Sequence, residues 1–142
     1  STNIGSHNIK KYKNIDSLII NASELRHEMR EREGKLHNLS KQLKKDISAK
    51  LITVTQGRAG AFMVNQKNNL ISCPSFNIDT IDKVGAGDAL LALLSACLCS
   101  KIDETVSLLI ASLAAAQSVE TIGNSVPVDK SRLLKTLFHL MK

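Results

Sequence analysis

Residues 82–91 read DKVGAGDALL and open a segment, 86–99, that is apolar nearly all round. This junction constrains the fold more than any other feature of the chain. A helix interior avoids glycine, which costs roughly 1 kcal/mol relative to alanine. Yet the alanine–leucine run predicts a helix over 86–99 that begins among the glycines. A helix without a polar face belongs in a core, so the rest of the chain must supply elements that cover it. The glycines either turn the chain into this helix or clear space for a group that approaches its backbone.

The surrounding pattern names the covering elements. SLIIN (17–21) and LITVT (51–55) are short, apolar and β-branched, and predict two buried strands. A charged helical stretch follows the first, and Gly34 is expected to break it. Leu36, Leu39, Leu43 and Ile47 then mark one face of a second helix. Gly57 and Gly60 punctuate the next stretch. AFMV and LISC predict a hairpin around Lys67, Asn68 and Asn69, ended by Pro74. Val106, Leu109, Ile110 and Leu113 mark a further helix, ETIGNSVPVD (120–129) a loop, and Leu134, Leu137, Phe138 and Met141 a final amphipathic helix. Strands alternating with helices give the α/β class, a sheet covered by helices. With only two central parallel strands and a hairpin, the sheet is thin, and the chain reads as part of a larger domain.

Composition narrows the partners. The chain has 142 residues, 43% of them hydrophobic, which suits a globular domain. Most of its net charge of +6 lies in residues 1–50, with 11 Lys/Arg against 6 Asp/Glu. That basic half suits either a solvated helix surface or a contact with phosphate or an acidic partner. Aromatics are 3% with no Trp, so there are no stacking platforms for single-stranded nucleic acid, and no nucleic-acid partner is expected. Cys73, Cys97 and Cys99 form neither a disulfide framework nor a metal-ligand motif, and the four histidines show no ligand spacing. Free thiols fit a cytoplasmic protein. No apolar run reaches the roughly 18 residues of a membrane span, so no membrane partner is expected. The polar start, STNIGSHNIKKYK, lacks a signal-peptide core. It also lacks an initial Met, as does a segment cut from a longer chain.

The chemistry on offer at 85–88 is specific. A helix N-terminus presents unpaired N–H groups and the positive end of the dipole, which together attract anions. Gly85 and Gly87 lack a Cβ, so a phosphate can come close to the backbone. Asp88 would sit in the first turn beside it. A carboxylate repels a phosphate as a binding group but serves as a base for a hydroxyl that attacks phosphorus. The plainer reading is that the glycines form a turn and Asp88 favours the helix start.

IDKVGAGDALLALLSACL resembles the C-terminal signature of the PfkB, or ribokinase-like, carbohydrate kinase family, in which a D-T-x-G-A-G-D run precedes a long buried helix. Lys83 stands where the family usually has Thr, and Leu93 where a small residue is common. The resemblance implies a ribokinase-like three-layer sandwich, of which this chain is the C-terminal portion. It makes the backbone of Gly85, Ala86 and Gly87 the anion hole and Asp88 the catalytic base. IINASELR places Asn21 and Glu24 directly after a strand, where the family has an N-x-x-E motif that organises Mg²⁺ and phosphate. The same spacing also fits a helix capping box. LITVTQGRAGAFMV is similar to the strand and turn lining the family's nucleotide site, which puts Thr55 and Gly57 near the ATP phosphates or ribose and leaves Gly60 to the turn. SLAAAQSVETIGNSVP, with Gly123, resembles the helix and loop that border the adenine. Some members also hold a monovalent cation such as K⁺, at positions that match Asp82, Val84, Ser118, Thr121, Gly123 and Ser125.

The resemblance spans roughly residues 17–129. It implies ATP-dependent phosphoryl transfer to a sugar or sugar-phosphate hydroxyl, with DKVGAGD and the later IGN looking most like heptose-phosphate-kinase-like members. Vitamin and nucleoside kinases share much of the pattern. A non-catalytic nucleotide-binding or regulatory module, and an interaction domain with no ligand, are the rival readings. The family's sugar-binding residues, early Gly-Gly motif and lid have no match here, so an N-terminal half is expected elsewhere and this half alone is expected to be inactive. Its absence would expose the edge at SLIIN and favour a dimer or self-association.

Overall fold

Two β-branched runs become the parallel heart of a sheet. β1 (Ser17–Asn21) pairs with β2 (Leu51–Thr55) in parallel, from Ser17 opposite Leu51 to Asn21 opposite Thr55. Parallel strands need a crossover, and α1 (Ala22–Met29) and α2 (Leu36–Asp46) provide it. β3 (Ala61–Val64) returns antiparallel to β2, and β4 (Leu70–Cys73) completes the order β1-β2-β3-β4. The computed structural model describes residues 8–76, 85–120 and 126–140. They divide into two compact units, residues 1–57 with 61–72, and residues 58–60 with 73–142.

The first unit holds most of the sheet. Ile20, Ile52, Val54, Phe62 and Val64 form its core with Leu25 of α1 and with Leu43 and Ile47 at α2. Each fully buried aliphatic side chain of this kind contributes about 1.5–3 kcal/mol. Leu36 and Leu39 pack against that core, so the expected α2 face is the observed one. α1 differs. It stops at Arg30, which takes the left-handed conformation (φ 54°) and donates its N–H to the Arg26 and His27 carbonyls. Gly34 lies beyond this stop and does not cause it. The hairpin turn is built from asparagines: Asn65 N–H donates to the Asn69 carbonyl, and Asn69 N–H to Asn65 Oδ1.

The second unit is helical. α3 (Ala86–Cys99) and α4 (Glu104–Ser118) pack together, and α5 (Lys130–Leu140) packs against α4. Asp103 caps α4 by accepting from the N–H groups of Thr105 and Val106. Leu113, Ala114 and Leu133 form the core, with Leu93, Leu109 and Leu137 against it. Leu93, a bulky residue in place of a small one, is therefore used for packing.

Two expectations are corrected here. α3 is not buried all round: Leu90, Leu94 and Cys97 are covered, whereas Leu91 is 47% exposed. The deeply buried helix is α4, which buries Ser107, Leu108, Ala111, Leu113, Ala114, Ala116 and Ser118. α5 presents Leu133 and Leu137 inward, leaving Leu134 exposed and Phe138 65% exposed. Met141 lies outside the described residues.

Candidate functional site

In the first unit the candidate residues gather where two strands end. Asn21 closes β1 and Thr55 closes β2, and the register sets them side by side. Open α/β sheets bind ligands beyond the carboxyl ends of their parallel strands, and this is that end. Gly57 follows two residues after Thr55, in a single 3-10 turn over Gly57–Ala59. Asn21 and Glu24 form a reciprocal capping box. Asn21 Oδ1 accepts the Glu24 N–H at 2.8 Å, and Glu24 Oε2 accepts the Asn21 N–H at 3.1 Å. Both are half-buried. One Glu24 oxygen is thus committed to the fold, and among the described residues the other carries no hydrogen bond.

In the second unit the first turn of α3 has no side-chain cap among the described residues. Gly85 is its N-cap, at φ 91°, a conformation that disfavours any side chain. Its carbonyl accepts the Ala89 N–H at 2.9 Å, so the helix proper starts there. Unlike Asn21 at α1 and Asp103 at α4, Gly85 has no side chain to cap the first turn. The N–H groups of Ala86, Gly87 and Asp88 belong to that first turn and have no intrahelical partner. Gly87 is exposed, and a Cβ placed on it would meet nothing within 4 Å among the described residues. Asp88 is exposed in the same turn and carries no hydrogen bond or ion pair among the described residues. Among the described residues the arrangement offers backbone donors, a carboxylate and free space on one turn.

The remaining expected positions divide cleanly. Asp82, Val84, Thr121, Gly123 and Ser125 lie outside the described residues, as does Lys83. Ser118 is buried, and its hydroxyl donates to the Ala115 carbonyl at 2.9 Å in the last turn of α4. Gly60 is a turn residue, as expected: at φ 86°, a Cβ would lie 2.2 Å from the Cys73 carbonyl oxygen. The alignment of Asn21 with Thr55 carries no signal in sequence, because register is a property of the paired strands. The three cysteines are free, and burial pushes the Cys73 and Cys97 thiols up, away from the thiolate a nucleophile needs. Among the described residues no helix is long and apolar enough to cross a membrane.

Known proteins share this architecture. Phosphofructokinase-2 from Escherichia coli, in complex with substrates and products, superposes with a TM-score of 0.82 at 17% identity, over 96% of this chain and 44% of that one. Ribokinase from Arabidopsis thaliana, complexed with ribose and ATP, gives 0.76 at 24% identity, over 86% of this chain and 40% of that one. These likenesses establish a ribokinase-like fold. In sequence, the bifunctional protein HldE of Campylobacter jejuni (strain RM1221) is 34% identical over 98 residues, 68% of this chain and 21% of that protein. HldE of Koribacter versatilis (strain Ellin345) is 32% identical over 98 residues, 69% of this chain and 20% of that protein. The chain therefore spans about a fifth of the length of these curated relatives. The profile of the pfkB family carbohydrate kinases matches residues 7–131. That match covers the strand ends at Asn21 and Thr55 as well as the open turn at Gly85–Asp88, and the chain belongs to the pfkB family of carbohydrate kinases.

Proposed function

We propose that the chain supplies the ATP-handling part of a kinase that phosphorylates a hydroxyl of a sugar or sugar phosphate. The observation that carries this reading is the α3 first turn. Among the described residues its donors have no side-chain cap, a Cβ on Gly87 would meet no neighbour, and the Asp88 carboxylate that follows has no partner. In the reaction, Asp88 takes the proton from the acceptor hydroxyl as its oxygen bonds the γ-phosphorus. The bond from that phosphorus to the β–γ bridging oxygen breaks, and ADP leaves. The N–H groups of Gly85, Ala86 and Gly87 face the charge that develops on the transferred phosphoryl oxygens.

The residues present fit the expected cofactor. Mg²⁺ is commonly held by one or two carboxylates together with substrate phosphates. Glu24 keeps one oxygen outside its capping bond, with the Asn21 amide beside it. Bound there, Mg²⁺ supplies charge neutralisation on the phosphates. Thr55 and Gly57, at the end of β2, are assigned to the phosphates or ribose. The acceptor class we favour is a heptose phosphate, on the likeness of DKVGAGD and IGN to that branch.

Asp88→Asn in the full-length protein tests the reading. Turnover is expected to fall about 10²–10⁴-fold while the affinity for Mg·ATP holds. Near-normal turnover would overturn the role of Asp88 and favour a nucleotide-binding module without catalysis.

A further inference from the structure

α1 carries a second, separate concentration of charge. Ser23, Arg26, His27 and Arg30 follow one another at the spacing of a single helix face. With Glu31 and Arg32 they line an open cleft of about 520 Å³. Small-molecule sites commonly occupy about 300–1,000 Å³, so the cleft has the size of a metabolite. Three guanidinium groups against one carboxylate leave its lining at +2 with His27 neutral.

The cleft wall is ordered by bonds of its own. One guanidinium nitrogen of Arg26 donates to the Arg32 carbonyl at 2.5 Å and the Gly34 carbonyl at 2.8 Å. Glu31 Oε1 accepts the N–H of Glu33 at 2.9 Å and of Gly34 at 3.3 Å. Arg26 and Glu31 therefore hold the 30–34 turn in shape. Arg30 and Arg32 are different. Both are exposed, both border the cleft, and neither side chain has a hydrogen bond or ion pair among the described residues. Two unengaged guanidinium groups on a braced turn match what bidentate recognition of phosphate requires.

We propose that this cleft binds a small phosphorylated metabolite or polyphosphate, with Arg30 and Arg32 gripping the phosphate and Ser23 donating from the other end. The cleft volume favours a small molecule over an acidic protein segment. The proposal stands apart from the reading of the α3 turn, because it rests on residues that play no part there.

Calorimetric titration of inorganic pyrophosphate into the full-length protein tests it, with two charge-matched double variants. Arg30→Gly with Arg32→Ser removes the grip, and glycine suits the left-handed backbone at residue 30, so the fold is kept. Lys41→Ser with Lys45→Ser removes the same charge from exposed positions on α2. Saturable binding that weakens about tenfold or more in the first variant and less than about twofold in the second is expected. Equal weakening in both, unchanged binding in the first, or no saturable binding would overturn the proposal. So would tight binding of a polyglutamate peptide that pyrophosphate fails to displace, which would assign the cleft to an acidic segment.

Discussion

Gly60 and Gly87 are the same residue kept for opposite reasons. Gly60 sits at φ 86°, and a Cβ there would run into the Cys73 carbonyl oxygen at 2.2 Å. The fold demands it, so its presence says nothing about a ligand. Gly87 lies inside a helix, at a position where alanine is preferred, and a Cβ there would meet nothing within 4 Å among the described residues. A glycine that costs helix stability and meets no packing partner among the described residues suits the proposed approach of a bound group. Asn21 and Glu24 fall between the two, since their capping box explains them structurally while one carboxylate oxygen stays outside it.

Substitutions can break or sharpen this contrast. Gly60→Ala should have the largest effect on stability, a loss of about 3 kcal/mol from backbone strain and a clash that backbone atoms cannot evade. Chemical denaturation would show it, and a loss below about 1 kcal/mol would mean that the turn is not fixed by the glycine. Asn21→Ala should cost about 1 kcal/mol as the cap is lost, and Asn21→Asp should restore most of it. If Asn21→Asp recovers stability but not turnover, the side chain has a role beyond its cap; recovery of both would reduce it to a cap. Gly87→Ala should have the smallest and most telling effect: stability rises by about 0.5–1 kcal/mol while phosphoryl transfer falls. A gain in stability without loss of activity would remove the argument for an approaching phosphate.

The elements were legible where the chemistry is local. SLIIN and LITVT carry β-branched runs that little else accommodates, and both strands match their expected bounds. The start of α3 was legible because glycines followed by an alanine–leucine run allow few other structures. Burial was harder to read. α3 and α4 are both mostly apolar, so periodicity does not say which one the core covers more deeply, and the structure buries α4. LLKTLF offers two adjacent stripes one residue apart, and packing selects Leu133 and Leu137 over Leu134 and Phe138. The end of α1 was missed because Arg30 adopts a conformation that glycine usually takes. At the site, GAGD was visible as a motif. The pairing of Asn21 with Thr55 was not, since it exists only once β1 and β2 are in register. Arg30 and Arg32 were visible only as part of a basic half. Their place on a braced turn comes from Arg26 and Glu31 bonding to the backbone.

The central claim is that the space at Gly87 belongs to a nucleotide phosphate. Calorimetric titration of Mg·ATP into the full-length protein, wild type and Gly87→Val, tests it most directly when each is also melted. Loss of affinity by about tenfold or more, with a melting temperature no lower than wild type, is the predicted result. Equal affinity in the two proteins would contradict the claim and leave Gly87 as a helix residue with no part in binding the nucleotide.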